Sequence, residues 1–119
     1  MMQSHYVPDR KDIIWLDFEP KKGREIGKLR PALVLSSQVL NRQTGMIICL
    51  PISTSIRGGM LEVSLGDALN KPSVVVSNGV QTLDWKQRKA QFITKAEDHV
   101  YKEAVLKLAT LMGVDQLLS

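Results

Sequence analysis

The chain has 119 residues, of which 44% are hydrophobic and 24% charged, a balance that predicts one globular domain over residues 1–119. No stretch reaches the roughly 18 to 20 apolar residues of a membrane-spanning helix, and the charged segment 1–11 does not resemble a secretory signal. Sixteen Lys and Arg against twelve Asp and Glu leave a net charge of +4. A polyanion such as nucleic acid is therefore one expected partner, and the alternative is that the charge serves solubility alone.

A single cysteine, Cys49, excludes an internal disulfide and lies in an apolar run. This cysteine usage is typical of a reducing compartment, so we predict a cytoplasmic location.

Most of the chain predicts short strands joined by polar loops. Alternating or continuous apolar runs mark the predicted strands, which are residues 12–18, 32–35, 46–50 together with 52, 61–65, 73–77 and 80–85. The run 46–50 is almost wholly apolar, which predicts a central strand buried on both faces. Val80, Leu83 and Phe92 are predicted to point into the core. The predicted loops are 19–29 and 53–59, and a turn is predicted at 41–45.

The pattern changes to that of a helix after Phe92. Residues 94–97 have the sequence of a capping box, in which a threonine hydroxyl and a glutamate carboxylate accept free backbone N–H groups. Apolar residues then recur at helical spacing, at Val100, Ala104, Val105, Leu108, Leu111 and Met112. Gly113 is a natural end. We therefore predict a mostly β, α+β barrel of five to seven strands with a C-terminal helix of roughly four to five turns.

The residue types argue against metal chemistry. One cysteine and two histidines, His5 and His99, without an H-E-x-x-H pattern, predict no zinc site, and no carboxylate cluster indicates magnesium. We therefore expect neither a metal nor a cofactor. His99 is interpreted as a surface histidine rather than half of an acid–base pair. Trp15 and Trp85 are interpreted as core or dimer-interface residues.

Basic residues concentrate in the first predicted loop with the strand entry after it, in the second predicted loop, and in a third segment at 86–89. They either meet at one end of a barrel as a groove for an anionic ligand or remain separate solvated loops. Arg30 stands apart, because Pro31 fixes the chain after it and a buried strand follows, and a firmly held guanidinium suits a phosphate. The residues are Lys21, Lys22, Arg24, Lys28 and Arg30, then Arg57, then Lys86, Arg88 and Lys89.

Three early segments resemble the N-terminal half of the MazF/PemK (Kid) toxin family: residues 12–20 (DIIWLDFEP), 23–27 (GREIG) and 30–36 (RPALVLS). The resemblance continues in the same order and covers nearly the whole chain, through Asn41 with Thr44 and Gly45, residues 51–54 (PIST), 62–63 and 80–88. It implies a small SH3-like barrel that forms a homodimer and acts as the toxin of a type II toxin–antitoxin pair.

The resemblance also implies an activity and its partners. The implied reaction is metal-independent, sequence-specific cleavage of single-stranded RNA (mRNA), leaving 2′,3′-cyclic phosphate and 5′-hydroxyl ends and so inhibiting translation and growth. A cognate MazE/PemI-like antitoxin, acidic and partly disordered, would neutralise the toxin, and operator DNA would be bound only through that antitoxin. No membrane partner is implied.

The family's functional residues fall on particular positions of this chain. The catalytic arginine falls on Arg30, the catalytic threonine on Ser53 with Thr54 as the alternative, and the loop glutamate on Glu25. The expected RNA contacts are Lys21, Lys22, Arg24, Lys28, Asn41, Arg57, Gln81, Lys86 and Arg88.

The sequence departs from the family pattern at a few positions. Ser53 keeps the hydroxyl of the threonine but lacks its methyl group. Ile26 follows Glu25 where the family often has glutamine, and Asn78-Gly79 replaces an acidic residue and a glutamine before the late strand. The last departure bears on RNA specificity more than on cleavage.

The expected roles follow from proton energetics. Deprotonating an arginine at neutral pH costs on the order of 7 kcal/mol, so we expect Arg30 mainly to stabilise phosphate charge and Glu25 to act as the base. Two other interpretations stay open: a CcdB-like poison that binds DNA gyrase without enzymatic activity, and a cleavage-dead regulator.

Overall fold

The computed structural model describes residues 6–18 and 28–119. In these residues the chain forms strands and helices in the order β1 (Asp12–Asp17), β2 (Leu29–Val34), α1 (Gln38–Thr44), β3 (Met46–Ser53), β4 (Glu62–Gly66), β5 (Ser73–Val76), β6 (Gln81–Asp84), β7 (Gln91–Lys95), α2 (Asp98–Leu111) and α3 (Val114–Leu117). The strands pair antiparallel in the order β4-β5-β3-β2-β1-β7, and β6 also pairs with β3. The predicted mostly β fold with a C-terminal helix is confirmed.

Strand β3 organises the sheet because it has three neighbours. One edge pairs with β2, from Ala32↔Pro51 to Val34↔Cys49. The other edge pairs first with β6 and then, at Ile52 and Ser53, with β5. The predicted central position is confirmed, but burial on both faces is not. Ile48 is 38% exposed because it borders an open groove beside α1.

Two hydrophobic cores lie on opposite faces of this sheet, because neighbouring residues of a strand point to opposite sides. The first core is closed by α2 and contains Ile13, Leu33, Leu50, Ile52, Val63, Leu65, Val75, Ala96, Val100 and Ala104. The second core contains Ile14, Leu16, Ala32, Val34, Ile47, Cys49, Leu83 and Trp85. Phe18 packs against the second core, on the same face as Ile14 and Leu16.

Residues 38–44 form the helix α1, so the predicted turn at 41–45 is wrong. The hydroxyl of Ser37 accepts a hydrogen bond from Leu40 N at 3.3 Å and caps the helix, which ends at Gly45 with φ of 73°. The helix is short and carries few apolar residues, so the sequence shows only a weak recurrence of apolar residues at helical spacing. Packing stabilises it: Trp85 Nε1 donates to Asn41 O at 2.9 Å.

The predicted capping box at residues 94–97 is also wrong. Thr94 lies in strand β7, where it pairs with Ile13 of β1. Glu97 is itself the N-cap residue of α2, and its side chain makes no capping hydrogen bond. Pairing with the edge of β1 therefore makes this segment a strand, although its sequence also matches the start of a helix. The predicted end is confirmed, because α2 stops at Leu111 and Gly113 has φ of 78°.

Several side chains predicted to face the core are exposed. Leu83 is buried as predicted, but Val80 is 42% exposed because it precedes the first paired residue of β6. Phe92 is 51% exposed on β7, and Leu111 and Met112 at the end of α2 are also exposed. Across residues 6–18 and 28–119, no helix is long and apolar enough to cross a membrane.

Candidate functional site

Arg30 is a strand residue rather than the last residue before a strand. Strand β2 begins at Leu29, three residues earlier than predicted, and Arg30 pairs with Leu16 of β1. Its side chain is exposed and makes no hydrogen bond or ion pair with any residue that the structure describes. The backbone of Arg30 is thus fixed by the sheet, while the guanidinium can meet an anionic ligand.

Ser53 lies at the corresponding level of the neighbouring strand. The pairing of β2 with β3 includes Ala32↔Pro51, and continuing that register by two residues puts Arg30 opposite Ser53. Since residues two apart on a strand point to the same side, both side chains share the face that carries the second core. The Ser53 hydroxyl accepts from Ser55 N at 2.9 Å, and its own proton remains available for donation.

A groove of about 600 Å³ begins at Ser53 and runs beneath the loop that follows β3. Ser53, Arg57, Glu62 and Asn78 are polar residues that line it, whereas Thr54 and Arg30 are not among the lining residues. Thr54 is exposed beyond the end of the strand. Between the two predicted hydroxyl residues, the groove therefore favours Ser53.

Glu62 holds the loop above this groove, a role that the sequence analysis missed. Its carboxylate accepts from Arg57 N at 3.0 Å and from Gly58 N at 2.8 Å. Hydrogen bonds to a charged acceptor are stronger than those between neutral groups, so the loop backbone is fixed at its outer end. No sequence signal points to this contact, because the partners of the carboxylate are backbone groups.

The turn before β6 explains one departure from the family pattern. A Cβ atom at Gly79 would lie 2.7 Å from Cγ of Pro51, so a side chain at this position would collide with β3. Gln81 follows, exposed and paired with Cys49, which places it on the same sheet face as Ser53 and Arg30. The close approach to Pro51 requires a glycine here, whatever RNA sequence is recognised.

Hydrogen bonds fix the backbone at the two ends of the predicted basic loop. Phe18 N donates to Lys28 O at 2.9 Å, and the Arg88 guanidinium donates to the carbonyl oxygens of Asp17 at 3.1 Å and Phe18 at 3.0 Å. Arg88 is therefore half-buried and supports the backbone, whereas Lys28 is exposed beside the entry to β2. Lys21, Lys22, Arg24 and Glu25 lie outside the described residues.

Asn41 is a structural residue, which contradicts its predicted contact with RNA. The side chain is fully buried. Its amide donates to Pro8 O at 2.8 Å and to Ser36 O at 3.0 Å, and its oxygen accepts from the Ser36 hydroxyl at 2.6 Å. All of its hydrogen-bonding groups are used within the chain, so the side chain has no exposed surface to offer to a ligand.

The remaining predicted basic contacts are not gathered into one patch. Arg57 is exposed in the loop after β3. Lys86 is exposed in the turn after β6, with its ammonium 5.6 Å from the centre of the Trp85 ring. Because Asp84 pairs with Met46, this turn leaves the sheet at the opposite end of β3 from Ser53. Trp85 itself is buried, which fits the predicted role of a core residue rather than that of a dimer-interface residue.

Other reactive side chains are not arranged for catalysis. Burial raises the pKa of the Cys49 thiol to about 12, which keeps it protonated at neutral pH. His99 is exposed at the start of α2, 3.8 Å from the Glu97 carboxylate. Within residues 6–18 and 28–119, no group of three or more His, Cys, Asp or Glu side chains is placed to hold a metal ion.

Comparison with known proteins agrees with the site residues in pointing to one family. The endoribonuclease toxin MazF of Escherichia coli K12 is 42% identical over 89 residues, which are 75% of this chain and 79% of that protein. The endoribonuclease toxin ChpB of the same strain is 36% identical over 112 residues, 87% of this chain and 93% of that protein. A crystal structure of MazE-MazF from Deinococcus radiodurans has a TM-score of 0.82 and 37% identity, covering 91% of this chain and 98% of that chain.

These similarities lend no support to the CcdB-like alternative. Residues 9–112 match the family model described as the PemK-like, MazF-like toxin of type II toxin–antitoxin systems. The chain belongs to this PemK-like, MazF-like family of type II toxins.

Proposed function

We propose that this protein is a toxin that cleaves single-stranded RNA without a metal ion and thereby arrests translation. The observation that carries the proposal is the pairing of β2 with β3, whose register, continued by two residues, puts Arg30 opposite Ser53 on one face of the sheet. A guanidinium and a hydroxyl on neighbouring strands of one sheet face suit the oxygens of a single phosphodiester. The names of the relatives, endoribonuclease toxins MazF and ChpB, support the same reaction.

The proposed reaction uses the RNA's own 2′-hydroxyl. Its oxygen attacks the adjacent phosphorus while the bond from phosphorus to the 5′ oxygen breaks, which gives a 2′,3′-cyclic phosphate and a 5′-hydroxyl. Such a step needs a base for the 2′ proton, a proton for the leaving 5′ oxygen, and stabilisation of the charge on the five-coordinate phosphate.

We assign these tasks to three residues. Arg30 mainly stabilises the phosphate charge, and a proton that it passes to the 5′ oxygen is replaced from water. Ser53 donates a hydrogen bond to a phosphate oxygen. Glu25, which lies outside the described residues, is the proposed base, because a carboxylate is deprotonated at neutral pH without cost.

The proposed partners follow from charge and from the family. We infer a cytoplasmic homodimer that an acidic, partly disordered antitoxin neutralises. The solved MazE-MazF structure from Deinococcus radiodurans supports an antitoxin partner, and the net charge of +4 suits an acidic segment. An acidic segment in the groove at Ser53 would block access of RNA.

The test is incubation of the purified protein with a long RNA in the presence of EDTA, followed by mapping of the new ends. We expect cuts at one short motif that carry 5′-hydroxyl ends. Intact RNA under these conditions, together with inhibition of DNA gyrase by the same preparation, would overturn the proposal in favour of a gyrase poison.

A further inference from the structure

A second cleft lies at the edge of the sheet, between the N-terminal segment and the turn after β6. It has a volume of about 490 Å³ and is lined by Tyr6, by Trp85 to Lys86, and by Lys89 to Phe92. None of its lining residues is acidic. Neither the proposed reaction nor the resemblance to the toxin family assigns a role to this cleft as a whole.

Phe92 gives the cleft an open aromatic surface. Phe92 is 51% exposed, although it lies within strand β7 as its second residue. The rings of Tyr6 and Phe92 meet edge to face with their centres 5.9 Å apart. The Tyr6 hydroxyl donates to Asp12 Oδ2 at 2.6 Å, which fixes the tyrosine. One side of the Phe92 ring therefore contacts Tyr6, and another side is exposed in the cleft.

Two lysines supply positive charge beside this ring. Lys86 and Lys89 are exposed in the turn that borders the cleft. Neither forms an ion pair with a carboxylate in the described part of the chain. An exposed aromatic ring with unpaired cations beside it is the combination by which proteins hold single-stranded nucleic acid, through stacking of a base and contact with the backbone phosphates.

The cleft lies within reach of the proposed reaction site. Phe92 pairs with Ile14, and Ile14 with Ala32, so the three residues form a row across β7, β1 and β2. Arg30 is two residues along β2 from Ala32. With ordinary strand spacing and rise, the Cα atoms of Phe92 and Arg30 are about 12 Å apart on one face of the sheet. Ile14 and Ala32 are buried in the second core, so an RNA that reaches both sites follows a surface path longer than this distance.

We propose that this cleft binds one nucleotide of the RNA that flanks the cut site, with its base stacked on Phe92 and its phosphate at Lys86 and Lys89. The inference rests on the proposed function, and it adds an RNA subsite outside the groove at Ser53. The subsite contributes affinity for the RNA and takes no part in the bond-breaking step.

The first test uses Phe92→Ala and Phe92→Trp, with Leu117→Ala as the control for loss of an exposed apolar side chain. Kinetics are measured on a long single-stranded RNA that the wild-type protein cuts, and on the same RNA trimmed to the cut motif. We expect Phe92→Ala to raise KM on the long RNA about 5- to 150-fold with kcat unchanged, to leave the trimmed RNA unaffected, and to be rescued by Phe92→Trp. The control behaves as the wild type.

The second test concerns the charge. Lys89 has φ of 56°, a conformation that asparagine tolerates, so Lys89→Asn removes the charge with little strain. We expect this variant to lower the slope of log affinity against log salt concentration by about 0.7 for the long RNA. Lys71→Asn, at an exposed lysine in the turn before β5, is the matched control and keeps the wild-type slope.

The outcomes separate this inference from the proposed function. If the wild-type protein cuts RNA and Phe92→Ala cuts the long RNA with wild-type KM, the subsite is refuted and the proposed function stands. If the protein binds the long RNA in a Phe92-dependent way but never cuts it, the subsite stands and the proposed reaction fails. If the same substitutions weaken only binding of antitoxin or of a second copy of the chain, the cleft is a protein-docking site and the inference is overturned.

Discussion

Ser53 and Arg30 owe their proposed roles to where their strands place them, since serine and arginine are common in any basic domain. The register of β2 and β3, continued by two residues beyond Ala32↔Pro51, puts the two residues opposite each other, and Ser53, which is half-buried, lines the groove at the end of β3. The resemblance put the family threonine on Ser53 and left Thr54 as the alternative, because a shift of the loop by one residue stays open until the end of the strand is known. The choice between Ser53 and Thr54 therefore depends on the residue at which β3 ends.

Ser53→Ala tests this choice. We expect the RNA cleavage rate to fall about 100-fold, the usual cost of losing one donor to a developing oxyanion, while Ser53→Thr retains activity and Thr54→Ala has a small effect. Ser64→Ala is the matched control, because the Ser64 hydroxyl also accepts a backbone N–H two residues later, at 3.1 Å. A larger loss in Thr54→Ala than in Ser53→Ala would show that the assignment is reversed.

At the scale of elements, the sequence predicted most of the strands but missed two features that depend on distant contacts. The alternation in β4 and the apolar run of β3 are local, and both were predicted. Helix α1 needs Trp85, more than forty residues away, to hold Asn41. Strand β7 needs the edge of β1. Local propensity alone favoured a turn at the first place and a helix start at the second.

The same limit applied to the candidate site. Arg30 stood apart in the sequence because Pro31 and a buried strand follow it, whereas its catalytic role and the choice of Ser53 came only from the resemblance to the toxin family. Glu62 was missed because its partners are backbone N–H groups of the preceding loop. Phe92 was assigned to the core because an aromatic residue in an apolar segment usually lies there, and only the sheet topology shows that β7 leaves half of its side chain exposed.

Gly79 tests the packing of the turn before β6 against β3. Gly79→Ala places a Cβ atom 2.7 Å from Cγ and 2.8 Å from Cδ of Pro51, so something must shift. We expect the free energy of unfolding in urea to fall by about 1–3 kcal/mol, the range for overpacking. Gly59→Ala is the control, since no atom lies within 4 Å of the added Cβ and the glycine has no positive φ. Equal stabilities for the two variants would contradict the close approach.

Asp9 joins the N-terminal segment to the start of α1. Its Oδ1 accepts from Gln38 N at 2.9 Å and from Arg10 N at 2.8 Å. The hydrogen bond from the Gln38 backbone is the main reason that the pKa of this carboxyl lies below its ordinary value of 3.8. A lowered pKa in the folded state means stabilisation that is present above 3.8 and is lost as the pH falls through the folded value.

We therefore expect urea unfolding to show a smaller loss of stability below pH 3.8 in Asp9→Asn than in the wild type. Asp67→Asn, at an exposed aspartate whose carboxylate accepts no hydrogen bond from the described residues, is the control for the lost charge. If Asp9→Asn and the wild type lose stability in parallel with acid, the contact with α1 is not a source of the pH dependence.

At the scale of the whole molecule, the positions of the basic residues determine how the net charge of +4 can act on a ligand. Asn41 and Arg88 use their polar groups inside the fold, whereas Arg30, Arg57 and Lys86 are exposed to a ligand. Arg57 lines the groove at Ser53 and Lys86 lines the second cleft, and an acidic antitoxin segment would compete with RNA for these exposed cations. Two copies of so short a chain can share one RNA cleft, as the proposed homodimer requires.

RNA and antitoxin should therefore exclude each other. With a labelled, uncleaved RNA analogue bound to the protein, we expect an acidic antitoxin segment to displace it in a competitive manner and less effectively at high salt, because both ligands are attracted to the same positive charges. Formation of a ternary complex with undiminished RNA affinity would contradict a shared surface.

The most direct test of the central claim is the cleavage rate of Arg30→Ala at saturating RNA in EDTA. Arg42→Ala is the control for loss of an exposed arginine, and circular dichroism and thermal melting check that both variants fold. Because the Arg30 side chain makes no hydrogen bond or ion pair with the described residues, we expect a folded protein that does not cut RNA, beside an active Arg42→Ala. A folded Arg30→Ala protein that cuts RNA at the wild-type rate would contradict the account.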